Sequence, residues 1–318
     1  MAIKAQPLHP LFAARITGLD LTQPLTEAAR AEVLKLMDRY AVCVYPNAVP
    51  LTNDQHIAFC RNLGPMQRAG QVLKITGRKD RLGEWPELID VSNLDGDGNI
   101  QAPDSRVRAF NNGNQLWHTD MSYLPNRATY SALHAHIIPP TDGDTEYADM
   151  RAAYDALPEA MKARIENLVA SHSIWYSRVL GGFPEPTPEE LSSRPPTEQR
   201  IVQTHPTSGR KTLYLASHAS HIVGMPIAEG RALLKEVADF ATQPQFVYRH
   251  RWTKGDLVIW DNRCTMHRAT QFDDLAYPRD LRSIICREHE EVVEAVIPGA
   301  HQDSDKRATA SKAQATQR

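Results

Sequence analysis

WTKGDLVIWDNRCTMHRA, residues 252–269, carries the plainest fold signal in the chain. At its centre, DLVIW (256–260) is a short apolar run between turn-forming residues, which reads as a strand. Working outward, similar strand-like pieces recur at 129–137, 170–175, 201–205, 212–216, 245–252 and 281–287. Towards the N-terminus, 13–20 reads as a short strand and turn, and AVCVY (41–45) as a buried strand ended by Pro46. Helical spacing of apolar residues marks 26–40, with Thr26 as cap, and a second helix runs over 52–63 until Gly64-Pro65 stops it. Further helices fit 150–157, 158–168 and 226–242. Many short strands separated by turn signals predict a mainly β fold of the sandwich or jelly-roll type with helices packed outside it.

One domain is expected over residues 1–297, because 318 residues suffice for a single sizeable core. The last stretch, 298–318, is polar and reads as a disordered tail. Between 83 and 113 the sequence turns rich in Gly, Asp, Asn and Pro, which predicts mostly loop with a short strand near 88–91. A long loop beside a site is often a lid, though a plain surface insertion fits as well. A net charge of −2 with scattered basic residues argues against nucleic acid as a partner. No apolar run is long enough for a bilayer, and the N-terminus has no secretory pattern. Cys43, Cys60, Cys264 and Cys286 are widely spaced, as reduced thiols in a cytoplasmic protein are. A small-molecule ligand and a homo-oligomer are expected.

Trp117-His118-Thr119-Asp120 is the first chemical signal. In a strand, His118 and Asp120 would share a face and aim an imidazole and a carboxylate at one point. His267, just beyond DLVIW, supplies a second imidazole. Two histidines and one carboxylate leave open positions that suit Fe(II) with oxygen and another ligand. An HxD pair alone is common and often has no role, and 13 histidines offer decoys. His134 and His136 share the same spacing but lie in what reads as a half-buried strand. His218 and His221 fit either a metal or a turn before Gly224. His172 and His205 read as structural.

Further stretches complete a pattern: NQLWHTDMSY (114–123), GDTEYADMRAAYDAL (143–157), THPTSGRKTLYL (204–215) and YPRDLRS (277–283). With 252–269, they make the chain resemble the taurine dioxygenase and 2,4-dichlorophenoxyacetate dioxygenase family, over nearly its whole length. HASHIVGMPI and FVYRHRW lean towards the phenoxyacetate branch. The resemblance implies a double-stranded β-helix and an Fe(II)-dependent enzyme that consumes 2-oxoglutarate and O2. It implies iron ligation by His118, Asp120 and His267. Thr145 and Arg279 match the residues that hold the far carboxylate of 2-oxoglutarate, and an arginine fork suits that task. Asn114 matches a polar residue near substrate and co-substrate. From the residues alone, Thr145 also fits a turn cap and Arg279 an ion pair with Asp280 or Asp274.

One position departs from the phenoxyacetate branch. Four residues after the co-substrate arginine, that branch carries a second arginine for the substrate's anionic group, and here the residue is Ser283. A hydroxyl cannot neutralise a carboxylate, so either another cation meets that charge, the favoured reading with Arg287 or a lysine of 74–81 as candidates, or the substrate is less charged at that point. The expected reaction is hydroxylation of a phenoxyalkanoate or similar aryl carboxylate, with release of succinate and CO2. Alkyl sulfonates such as taurine, or sulfate esters, stand second. A non-catalytic jelly-roll binding protein and a zinc hydrolase are rivals from other classes.

Overall fold

Strand β13 (Leu257–Asp261) is apolar at Leu257, Val258, Ile259 and Trp260 because both faces of its sheet are covered. Leu257 and Ile259 join one core cluster, and Val258 and Trp260 join another. The structure is a computed structural model that describes residues 2–47, 49–68, 77 and 79–290. The larger sheet has seven strands: β1 (Lys4–Pro7), β2 (Ala14–Thr17), β3 (Val42–Tyr45), β4 (Ile89–Ser92), β5 (Ala128–Ile137), β13 (Leu257–Asp261) and β15 (Asp280–Arg287). They lie in the order β1-β2-β3-β13-β5-β15-β4. A smaller sheet, β12 (Val247–His250), β6 (Thr145–Asp149) and β14 (Thr265–Ala269), has β6 at its centre. Tyr147 of β6 packs in one cluster with Val44, Leu133, Val258, Trp260 and Leu281, so the two sheets face each other. This is the jelly roll, mainly β with flanking helices.

Helices α1 (Glu27–Tyr40) and α2 (Asn53–Cys60) cover the outer face of the large sheet. Val33, Met37, Phe59 and Cys60 meet Cys43, Tyr130, Ala132 and Ile284 there. Each fully buried aliphatic side chain contributes about 1.5–3 kcal/mol. Thr26 caps α1 through its side chain, and Thr52 forms a reciprocal capping box with Gln55 on α2.

Beyond β4 come α3 (Arg106–Asn111), α4 (Met150–Ala156), α5 (Glu159–Ile165), α6 (Ile174–Leu180), α7 (Pro188–Ser193) and α8 (Ile227–Ala241). A third sheet joins β11 (Ala219–Ile222), β7 (Val169–His172) and β8 (Thr197–Arg200), and β9 (Val202–Thr204) pairs with β10 (Lys211–Leu213). The faces of α8 and β11 meet the outer side of β6 and β14 in a further core cluster.

Several expectations need correction. The strand expected at 170–175 ends at His172, because Ser173 caps a helix: its Oγ accepts from the Tyr176 N–H. The segment 83–113 is mostly turn and loop with a short strand at Ile89–Ser92, as expected, and departs from expectation in also carrying helix α3. β4 pairs with β15 from Asp280↔Ser92 to Ser283↔Ile89, and Ser105 caps α3. His118 lies in an isolated bridge and Asp120 in a turn, not in a strand. The strand at 129–137 is covered on both faces, so His134 is fully buried and not on a half-exposed face. The tail 298–318 and the end of the expected domain lie outside the described residues.

His134 faces α2, where three histidine rings meet edge-to-face: the His56 ring centre lies 5.4 Å from that of His134, and His134 lies 4.5 Å from His136. Burial first, and neighbouring charge second, lowers all three; His134 is brought to about 3 and His136 to about 4. In the unfolded chain they take a proton near pH 6.5, so below that pH the unfolded state binds protons that the folded state refuses. Stability is therefore full above pH 6.5 and falls as the pH drops towards 4, by roughly 1.4 kcal/mol per buried histidine per pH unit. Urea midpoints at pH 7, 6 and 5 check this: His134→Leu should flatten the acid limb, and a limb identical to the wild type would clear the cluster.

Candidate active site

A bridge between the loop at His118 and strand β14 sets the centre of the site. His118 N–H donates to the His267 carbonyl (2.9 Å), and His267 N–H returns a bond to the His118 carbonyl (2.8 Å). This reciprocal pair brings the two rings to 4.1 Å, centroid to centroid. Asp120 follows, and Met121 then takes a left-handed φ of 53° that turns the chain away. Such a conformation costs a non-glycine residue about 1 kcal/mol or more.

Nε2 of His118 lies 3.7 Å, and Nε2 of His267 3.8 Å, from Oδ1 of Asp120. These separations are too long for hydrogen bonds and suit donors around one ion whose ligand bonds are about 2 Å. The His118 Nδ1 lies 2.8 Å from the Leu116 carbonyl, which has no proton to give. Nδ1 therefore donates, and the lone pair is on Nε2. Burial lowers both histidines, His267 to about 3, so both rings are neutral and can ligate. The His118 lone pair, the neutral His267 ring and a carboxylate oxygen thus converge without a hydrogen bond among them. Two imidazoles and a carboxylate so placed are a metal donor set, so the residues fit the implied metal.

Asp120 is fixed from behind. Ser131 Oγ on β5 donates to Asp120 Oδ2 (2.7 Å) and accepts from Asn262 Nδ2 (2.8 Å). Asn262 Oδ1 takes the Asp120 N–H (3.1 Å) and the Trp260 indole N–H (3.1 Å). The network leaves Oδ1 free to face the two histidines.

A cavity of about 640 Å³ opens over these residues. Arg279 reaches into it from the start of β15, 7% exposed, with Nε donating to the Gly143 carbonyl (3.1 Å). Its burial lowers it to about 10, so it stays charged at neutral pH. The ion-pair alternative is overturned: Asp280 pairs with Arg81 and Arg282, and Asp274 with Arg108. Thr145 lines the same cavity. The Thr145 Oγ1 accepts from the Trp252 indole (3.0 Å), which leaves its own proton to donate. Asn114 and Ser283 also line the cavity.

Among the described residues, neither Arg287 nor Lys79 takes the place of Ser283 as a cation. Arg287 bonds to Gln67 Oε1 and the Asn126 carbonyl and does not line the cavity. Lys79 pairs with Asp97 at the surface, and Lys74 lies outside the described residues. What sequence reading missed is Arg178, on α6; His218, weighed there as a metal ligand or a turn residue, instead lies beside it in the cavity wall. Both line the cavity. Ser177 Oγ gives its proton to the Ile174 carbonyl, so the His218 Nδ1 must donate to it (2.7 Å). The signal for Arg178 is a charge inside the apolar run IWYSRVL, but the strand expected at 170–175 ends within that run and leaves 176–180 unassigned.

A second trio, His205, Asp261 and Cys264, also lies together. Arg263 grips both Asp261 oxygens (2.9 and 2.6 Å) and stands where a cation would, so this trio is structural.

Fold and site together define a non-haem iron(II) dioxygenase that depends on 2-oxoglutarate and O2. The family model described as "Taurine catabolism dioxygenase TauD, TfdA family" matches residues 4–285, and the chain belongs to that family. It is 45% identical to the alpha-ketoglutarate-dependent 2,4-dichlorophenoxyacetate dioxygenase of Cupriavidus pinatubonensis, covering 89% of this chain and 96% of the relative. It is 36% identical to the (S)-phenoxypropionate/alpha-ketoglutarate-dioxygenase of Sphingobium herbicidovorans, with coverage of 86% and 91%. Among solved structures, AAD-2 in complex with Mn(II) and N-oxalylglycine superposes with a TM-score of 0.85 at 46% identity, over 92% of this chain and 100% of that one.

Proposed function

We propose that this enzyme hydroxylates a phenoxyalkanoate or similar aryl carboxylate at the carbon beside the ether oxygen. The observation that carries this reading is 45% identity, across nearly the full length of both chains, to a relative named for 2,4-dichlorophenoxyacetate. The cavity is compatible: Leu133, Ile285, Phe110 and Met121 offer apolar wall for an aryl ring.

His118, Asp120 and His267 would hold Fe(II), with Ser131 and Asn262 keeping the carboxylate aimed. When bound, the iron supplies oxygen activation coupled to the oxidation of 2-oxoglutarate to succinate and CO2. Arg279 and Thr145 bind the far carboxylate of 2-oxoglutarate, the guanidinium as a paired donor and the hydroxyl as a neutral one. Asn114 and Ser283 lie on the substrate side. The protein's task is to position both acids and exclude water. The hydroxylated product is a hemiacetal, ArO–CH(OH)–COO⁻. Its hydroxyl proton passes to the ether oxygen as the C–O bond breaks, giving a phenol and glyoxylate.

The test is succinate formation with phenoxyacetate, 2-phenoxypropionate, taurine and an alkyl sulfate. Phenoxy acids should lead. The alkyl sulfate represents the second reading, which a 27% identical sulfate ester dioxygenase of Pseudomonas putida favours. Turnover of the sulfate or taurine alone would replace the first reading.

Residues 83–113 are proposed to close over the cavity when both ligands bind. Their support is placement: Ile89–Ser92, Asn93, Arg108, Phe110 and Asn112 wall the cavity, and Arg108 ties the segment to Asp274. Hydrogen exchange should slow there only with substrate and 2-oxoglutarate together; equal exchange in both states would make the segment a fixed wall. Self-association is proposed from exposed apolar side chains such as Leu180, Leu191 and Ile227. No helix among the described residues is long and apolar enough to cross a membrane, and four buried free cysteines support a reducing compartment such as the cytoplasm.

A further inference from the structure

A buried guanidinium with no carboxylate against it is costly to keep, and it persists where a ligand supplies the missing charge. Arg178 is in that position. It is 8% exposed, and its Nε has no partner. Nη1 donates to Asn114 Oδ1 (2.9 Å), a neutral acceptor, and the guanidinium lies 4.3 Å from the Phe110 ring centre. Burial lowers it to about 10, which leaves it charged at neutral pH. Asp120 is the acid that feels this charge, but its oxygens are spent on Ser131 and on the two histidines.

Position adds to the argument. Next to Arg178, Ser177 holds His218, whose ring lies edge-on to His118 at 6.0 Å. Arg178 therefore stands on the metal side of the cavity. Arg279 is fixed elsewhere, by the Gly143 carbonyl and near Phe272. Among the described residues, this cavity thus holds two buried arginines without ion pairs, and the reaction proposed above brings two acids.

We propose that Arg178 is the anchor for the anionic group of the substrate, taking on α6 the task for which Ser283 lacks a charge. This rests on the aryl carboxylate reading. Arg178 receives the substrate carboxylate, Asn114 holds the guanidinium in place, and the carbon between carboxylate and ether oxygen comes to the metal side.

The test is anaerobic calorimetry on the full chain loaded with Fe(II) and 2-oxoglutarate, with phenoxyacetate and its neutral analogue phenoxyacetamide as probes. Arg178→Met should weaken phenoxyacetate about thirtyfold or more, the lower bound for removing one partner of a buried charge pair. Phenoxyacetamide and 2-oxoglutarate should bind as to the wild type. Arg178→Lys keeps the charge but loses the planar fork, and should weaken phenoxyacetate less; it carries the test if Arg178→Met does not fold. Unchanged phenoxyacetate affinity in the folded variant overturns the anchor and leaves the substrate class standing. If the wild type binds no phenoxy acid, the substrate class falls and the anchor with it.

Discussion

Asp120→Ala is expected to abolish turnover and to leave the chain without retained Fe(II), while the fold survives. The carboxylate does no core packing. It sits in a turn, its Oδ1 facing His118 and His267 at 3.7 and 3.8 Å. Removing it leaves two neutral imidazoles, which bind a divalent ion far more weakly than a set that includes a charge. Even changes in the groups behind a ligand typically cost 10- to 100-fold in affinity or activity, so loss of the ligand itself should exceed about a hundredfold. His118→Ala and His267→Ala should match it. Metal content after gel filtration and the visible band of anaerobic Fe(II) with 2-oxoglutarate check the site without turnover, and thermal unfolding checks the fold. Normal turnover by Asp120→Ala would remove the whole metal assignment.

Arg279→Ala should raise the 2-oxoglutarate requirement by one to three orders of magnitude and change stability little. A buried, hydrogen-bonded charge partner costs roughly 2–5 kcal/mol when it is removed, against under about 1 for an exposed pair. Here the folded protein loses only a neutral contact to Gly143, because Arg279 has no carboxylate of its own to strand. The loss therefore falls on ligand binding. Titration of 2-oxoglutarate against the Fe(II)-loaded variant is the measurement. Unchanged affinity would move the carboxylate site away from β15, and Arg282 could not replace it, since it turns outward to Asn53 of α2.

How far the sequence was legible follows from where each signal lies. β3 and β13 are continuous apolar runs because both faces of their sheet are buried, so they stand out. β1 (KAQP), β8 (TEQR) and β11 (ASHI) are short and polar, and pairing with a neighbour makes them strands, which no local pattern reports. β4 exists through its register with β15. The metal donors were legible because ligation demands particular residue types, and few short stretches combine them. Their geometry was not: the shared face of His118 and Asp120 comes from one bridge and a strained turn, which depend on a strand from the other end of the chain. Arg178 was hidden for the same reason. A single buried charge acquires meaning only when the fold shows that nothing meets it.

The reciprocal bridge between His118 and His267 also sets a sequence in time. The two residues are about 150 positions apart, and Arg279 comes later still. A chain emerging from the ribosome presents His118 and Asp120 long before their partner exists, and the contacts that align them are long-range, a kind that forms slowly. An unfinished or truncated chain therefore cannot assemble the three-ligand centre. Redox-active iron is acquired only by a protein that has already closed its barrel, and capture of the ion then draws the last unclosed chains into the native state.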